Sequence, residues 1–246
     1  MKQVAIELKD VSVSYLNNKR GIYSIKDFFI KGGLFSPFEQ RPVLKNIDLT
    51  VYKGESIGIV GKNGEGKSTL LRTIAGIIIP DSGTCKVAVE ISPLLALGAG
   101  LELELTGLEN IKIYMALSKR YEKGTIKELI DNVSDFSGLS MEQLKMPVKM
   151  YSTGMLARLA FSTVMTIQPQ LLMIDEVLAV GDKGFQEKCK KRIQEVKEAG
   201  ATVLFVSHNP DEITDVCDRG ICLKEGRIIC DSTSQNAVKE YNNLFK

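Results

Sequence analysis

The stretch GKNGEGKST, Gly61 to Thr69, constrains this chain more than any other. It fits Gly-x-x-x-x-Gly-Lys-[Ser/Thr] through Gly61, Gly66, Lys67 and Ser68, the pattern of a phosphate-binding loop. Glycines let the backbone curl until its N–H groups converge on one anion. Lys67 adds a positive charge for the β- and γ-phosphates, and Ser68 a hydroxyl for Mg²⁺. The context agrees. Ser56 to Val60 is an apolar, β-branched strand, and Leu70, Leu71, Ile74 and Ala75 mark one face of a helix that Gly76 can end. Strand, loop and helix place the phosphate on a helix N-terminus, where the dipole favours negative charge. The nucleotide-binding set read from the loop is Gly61, Lys62, Asn63, Gly64, Glu65, Gly66, Lys67, Ser68 and Thr69.

A second constellation is LLMIDE, Leu171 to Glu176. Four apolar residues make a central strand and two carboxylates sit at its C-terminal end, the end where open α/β sheets bind ligands. Asp175 is placed to hold Mg²⁺, directly or through water, and Glu176 to polarise the attacking water as general base. Alone the pattern is common; roughly a hundred residues after a phosphate loop it gains weight. YSTGM, Tyr151 to Met155, precedes a helical pattern, so Ser152 and Gly154 offer a hydroxyl and a flexible backbone at a helix N-terminus. A bare Ser-x-Gly is equally a plain helix cap. The single histidine, His208, follows the strand Leu204–Val206 and falls beside the carboxylate pair.

The chain has 246 residues, enough for one large domain or a core with a subdomain. Its 44% hydrophobic and 25% charged shares are those of a soluble globular protein. A net charge of +2 gives no electrostatic case for nucleic acid. Lys19, Arg20, Lys26 and Lys31 form a loose basic cluster, read as a solvated face or, alternatively, a contact with an anionic membrane surface. No apolar run reaches the ~18 residues needed to span a bilayer, and MKQVAIELKD lacks a signal-peptide core. The expected place is therefore the cytoplasm, or its membrane face if a partner holds the chain there. The five cysteines lack zinc spacing and read as buried, reduced thiols.

Along the chain, Val4–Leu8 and Val11–Tyr15 alternate as two half-buried strands. Residues 16–42 lose period and hold glycines, prolines and aromatics; they read as an insertion with one short helix at Ser24–Ile30. Residues 84–90 read as a strand. From about 95 to 167 the pattern is helical, at Gly107–Lys119, Lys123–Phe136 and Gly154–Thr166. Strand and helix then alternate: Leu171–Ile174, Phe185–Ala199, Thr202–Val206, a hairpin around Glu225-Gly226, and a closing helix at Ser232–Phe245. The fold class is α/β: a P-loop, RecA-like core with an inserted α-helical subdomain and an N-terminal antiparallel β region. We divide the single domain into a core at 1–94 and 168–246, a helical subdomain at 95–167 and the insertion at 16–42.

These four motifs, in this order and spacing, resemble the nucleotide-binding subunit of an ABC transporter over nearly the whole chain. Gly61–Thr69 is similar to its Walker A loop, Leu171–Glu176 to Walker B with the catalytic glutamate, Tyr151–Met155 to its LSGGQ signature, Ala179–Asp182 to its D-loop and His208 to its switch histidine. Tyr15 stands where the family stacks an aromatic on adenine. Ile174–Cys189, Ser92–Ile111, the YSTGM form followed by Ala157–Phe161, and the aromatic insertion resemble the ATPases that export lipid-linked polysaccharides: O-antigen, capsule and teichoic acid. Two departures stand out. Tyr151, Thr153 and Met155 replace the signature's Leu, Gly and Gln, and residues 95–99 hold no glutamine, so the coupling loop is placed at Ala96–Gly98 without a named ligand.

What the resemblance implies is an ATP hydrolase that uses ATP and Mg²⁺. Glu176 and His208 would be catalytic, Ser68 and Asp175 would hold the metal, and Tyr15, the loop, Ser152 and Gly154 would hold nucleotide. Two copies would face head to tail with ATP between them, Ser152 and Gly154 of each touching the γ-phosphate bound to the other. The partner beyond the homodimer would be a polytopic membrane permease that carries undecaprenyl-linked glycan, and the chain would sit on the cytoplasmic face of the inner membrane, held there by the permease. The alternatives are an importer, a drug or lipid exporter, and a soluble ABC ATPase acting on ribosomes or DNA.

Overall fold

A computed structural model describes residues 2–18, 38–94, 100–118, 126–175, 182–207 and 209–245. Two sheets share the α/β core. The first is three-stranded and antiparallel: β1 (Val4–Asn18) lies between β2 (Phe38–Tyr52) and β4 (Ser82–Val87). The second has six strands, in the order β5 (Ile91–Leu94), β6 (Leu171–Asp175), β7 (Thr202–Val206), β3 (Ser56–Val60), β8 (Arg219–Lys224) and β9 (Arg227–Thr233). All its pairings are parallel except the β8–β9 hairpin. This is a strand-crossover sheet buried on both faces, which is why β3, β6 and β7 read as unbroken apolar runs.

Side-chain alternation sends each strand's residues into two cores. Leu171 and Met173 of β6, Leu204 and Val206 of β7, and Ile57 and Ile59 of β3 face one core. There they meet α1 (Lys67–Ile74) through Leu70, Leu71 and Ile74, and the inner face of the antiparallel sheet through Ile6, Leu8, Val11, Val13, Leu44, Ile47, Leu49 and Val51. Leu172, Ile174, Val203 and Phe205 face the opposite core, covered by α6 (Lys183–Glu198), α7 (Pro210–Val216) and α8 (Ser234–Phe245). Between them in the chain come α2 (Gly107–Leu117), α3 (Ile126–Ser137), the short α4 (Met141–Leu144), a 3₁₀ turn (Val148–Met150) and α5 (Thr153–Thr166). These helices pack round their own cluster of Ile111, Ile130, Val133, Leu139, Leu144, Val148 and Leu159. An aromatic trio joins that block to the core: Phe136 of α3, Phe161 of α5 and Phe185 of α6 have ring centroids 5.9 to 6.1 Å apart.

Several sequence expectations change. The two N-terminal strands are one, β1, broken in parity rather than in continuity. Its buried residues step 6, 8, then 11, 13, and the register shifts between Leu8 and Val11. Asp10 takes φ of 50° there, opposite Asn46, also at 50°. The Asn46 amide donates to Asp10 Oδ1 at 2.6 Å, and the Asp10 N–H donates to Asp48 Oδ1 at 2.9 Å. A paired bulge thus re-aims both strands so that apolar side chains stay inward. Pairing of β1 with β2 also continues through Leu16↔Gln40 to Asn18↔Phe38, into the segment that reads as aperiodic. The strand expected at 84–90 is β4 at Ser82–Val87, and Ile91–Leu94, not foreseen, is an edge strand on β6. The proposed helix at Ser24–Ile30, the basic cluster at 19–31 and the loop at Ala96–Gly98 lie outside the described residues. Among the described residues, no helix is long and apolar enough to cross a membrane.

Candidate functional site

The turn from β3 into α1 closes only because of its glycines. Gly66, the residue before the helix, has φ of 100°. A Cβ there would lie 2.8 Å from Leu44 Cδ2 and 3.0 Å from the Val43 carbonyl oxygen. At Gly61 a Cβ would come within 2.7 Å of the Leu223 carbonyl oxygen. The loop is therefore pressed between β2 and β8, and no side chain fits at either glycine. Lys67 is 5% exposed. Its Nζ folds back to donate to the carbonyl oxygens of Gly61 at 2.7 Å and Lys62 at 3.0 Å, which sets the ammonium over the loop.

A distant turn supports the loop. Glu65 accepts the backbone N–H of Glu225, in the β8–β9 turn, and the Lys45 N–H donates to the Gly226 carbonyl at 2.8 Å. The hairpin turn thereby grips both the phosphate loop and β2. Sequence alone gives no sign of this, because the partners are 160 residues apart.

Above the loop opens a cavity of about 640 Å³. Asn63, Gly64, Gly66, Lys67, Ser68 and Thr69 line one side, and Tyr15, Leu16, Arg41 and Val43 the other. Tyr15 is 41% exposed, and its hydroxyl lies 3.3 Å from Thr69 Oγ1. The loop and the aromatic on β1, read separately in the sequence, thus share one cavity. Sequence alone does not mark Leu16, Arg41 or Val43. Val43 is an extra residue in β2 where the register shifts between Val13 and Ser14, and the meeting of Arg41 with Tyr15 depends on a register that spans the insertion.

Asp175 ends β6. It is level with Val206 of β7, which sits beside Ile59 of β3 through the Val206↔Ile59 pair. Its carboxylate thus stands on the C-terminal edge of the sheet, two strand spacings, roughly 10 Å, from the strand that feeds the loop. Ser68 and Asp175 are oxygen donors at that edge, the donor type a hard divalent cation takes. Glu176, residues 179–181 and His208 lie outside the described residues.

Ser152 and Gly154 are not brought to this cavity. Ser152 caps α5, its Oγ accepting the Met155 N–H at 3.2 Å, and it is exposed. A Cβ at Gly154 would meet only Ser152 Oγ, at 4.0 Å. Tyr151, the signature's unusual first residue, points inward instead. Its hydroxyl donates to the Gln143 carbonyl at 2.7 Å, and burial pushes its pKa up. Asp182 caps α6 by accepting the Phe185 N–H at 2.9 Å and pairs with Arg158 of α5. The Phe185 N–H first, and the Arg158 charge after it, hold the Asp182 carboxyl below the usual carboxylate range. Arg158 also lies 5.1 Å over the Phe185 ring, so the helix behind Ser152 is tied to the start of α6.

Comparison with known proteins identifies the family. A family model described as ABC transporter matches residues 44–179. The O-antigen export system ATP-binding protein RfbB of Klebsiella pneumoniae is 36% identical over 243 residues, covering 96% of this chain and 98% of that one. The ABC transporter protein AbcA of Aeromonas salmonicida is 40% identical over 202 residues, 82% of this chain but only 65% of its own length. Among solved structures, a dimeric post-hydrolysis state of the ATP-binding cassette MJ0796, bound to ADP and Pi, superposes with a TM-score of 0.75. It is 20% identical and the match covers 93% of this chain and 98% of that one, a likeness of fold.

Proposed function

This chain belongs to the ABC transporter family of ATP-binding cassettes, and from that premise we propose that it binds and hydrolyses ATP to drive export of a lipid-linked, O-antigen-like polysaccharide. The observation that carries the reading is the shared cavity of Tyr15 with Gly66, Lys67, Ser68 and Thr69. Tyr15 would stack on the adenine, the loop N–H groups and Lys67 would hold the phosphates, and Ser68 with Asp175 would hold Mg²⁺. Bound there, Mg²⁺ would neutralise charge on the β- and γ-oxygens. Glu176 would take a proton from the attacking water, and His208 would be the second catalytic residue. RfbB, named for O-antigen export and similar over nearly its whole length, supports the choice of cargo.

The exposure of Ser152, with the half-buried Gly154 beside it and both away from the cavity, supports a site completed by a second copy. Each chain would offer its α5 N-terminus to the γ-phosphate held by the other. Lys67 and the loop hold the nucleotide in one copy while Ser152 of the other closes on it, so the γ-phosphate biases a two-state element. Opening and closing would work a separate polytopic permease at the cytoplasmic face of the inner membrane. In cells of the host, Lys67→Ala should abolish ATP turnover and leave undecaprenyl-linked glycan accumulating inside. Turnover lost with surface glycan unchanged would sink the cargo assignment and leave the ATPase standing.

A further inference from the structure

We propose that Arg41 is a nucleotide-contact residue that holds the phosphate chain at its ribose end, the α-phosphate, beyond the reach of Lys67. This rests on the reading that the cavity takes a nucleotide. Arg41 and Tyr15 are directly opposed in the β1–β2 register, so both side chains project from the same face. Both line the cavity above the loop. Val43, two residues on in β2, has its carbonyl pressed against Gly66. Arg41 therefore stands roughly 7 Å along the strand from the residue that touches the loop. A three-methylene stem ending in a planar fork spans such a gap.

The electrostatics single it out. The Arg41 side chain is exposed and, among the described residues, makes no hydrogen bond or ion pair. Lys67, in contrast, is fixed over the start of the loop by two carbonyls, where the β- and γ-phosphates belong. Thr69, at the far end of the loop, touches the Tyr15 hydroxyl. A phosphate beside Thr69, between the loop and the Tyr15 ring, would face the Arg41 side of the cavity. A guanidinium there meets it as a charge-assisted and, in favourable geometry, bidentate donor. Because Arg41 sits on β2 and the loop on the other sheet, nucleotide would also bridge the two sheets.

The test is calorimetric titration of the intact chain with ADP, AMP and adenosine, for the parent, Arg41→Ala, Arg41→Lys and Lys67→Ala. Loss of one charged hydrogen-bonding partner should weaken ADP and AMP alike, by about 10-fold in Arg41→Ala. Adenosine should bind Arg41→Ala and parent equally. Arg41→Lys should recover part of the loss, a point charge replacing the fork. Lys67→Ala should instead lose ADP far more than AMP. Parental ADP affinity in Arg41→Ala would overturn the proposal, as would an equal loss for adenosine, which would mean a contact with the base or a distorted β1–β2 ribbon. A parent chain that binds no ADP would refute the nucleotide reading itself, a separate result.

Discussion

At the scale of single residues, the loop is built by backbone geometry that side chains would spoil. Gly66→Ala puts a Cβ at φ of 100° and within 2.8 Å of Leu44 Cδ2. Strain and overlap together should cost roughly 2–4 kcal/mol. A lowered urea midpoint with weakened ADP binding is the expected outcome. Three of the five cysteines behave as core atoms, while Cys85 and Cys230, expected to be buried, are only half-buried. Burial pushes Cys189 and Cys217 up to about 12 and Cys222 to about 11. Iodoacetamide at pH 8 should therefore leave these three unmodified in the folded chain and label them in urea, as intact mass would record. The sign for stability follows. These thiols hold their protons in the folded state beyond the pH at which an unfolded chain releases them. Stability should be full below about pH 9 and fall as pH rises toward 12. Urea midpoints measured across that window would show it, and Cys217→Ala should flatten the decline.

At the scale of elements, α5 has two duties that can be separated. Ser152 caps the helix, and in the proposed dimer its hydroxyl also reaches the second copy's γ-phosphate. Aspartate is as good a cap as serine, so Ser152→Asp should change stability by less than about 0.5 kcal/mol. Its charge would repel a γ-phosphate, so ATPase activity should vanish. Parental turnover in Ser152→Asp would reduce Ser152 to a cap. The junction behind it is apolar: Phe161 is fully buried between Phe136 and Phe185. Phe161→Ala should cost about 3–5 kcal/mol, read as a drop in the denaturant midpoint, because the cavity opens where the helical block meets the core. Much of this element layout is legible in the sequence because its causes are local. Unbroken apolar runs mark β3, β6 and β7, and 3.6-residue periods mark α2, α3 and α5. The paired bulge at Asp10 and Asn46 is not legible, since one extra residue in each strand mimics two short strands. Nor is β5, where Pro93 interrupts a four-residue edge strand.

At the scale of the whole molecule, the candidate site divides by distance in the chain. The phosphate loop and the Asp175 strand end announce themselves, because each carries its chemistry within a few residues. Tyr15 needed the family resemblance to be found. Arg41 and the grip of Glu225 on Glu65 needed the fold, since each depends on a register or a turn set far away in sequence. The larger consequence is that this one chain holds Tyr15 and the loop at one place and exposes Ser152, beside a half-buried Gly154, at another. In the proposed dimer a complete site would then take two chains, with ATP at their interface. The measurement that bears on this most directly is the solution mass of Glu176→Gln with MgATP, by light scattering after gel filtration. Blocking hydrolysis should trap the closed pair at about twice 27.1 kDa, and adding Ser152→Asp should return it to the monomer. A monomer at every ATP concentration that saturates the site would contradict a nucleotide-sandwiched dimer.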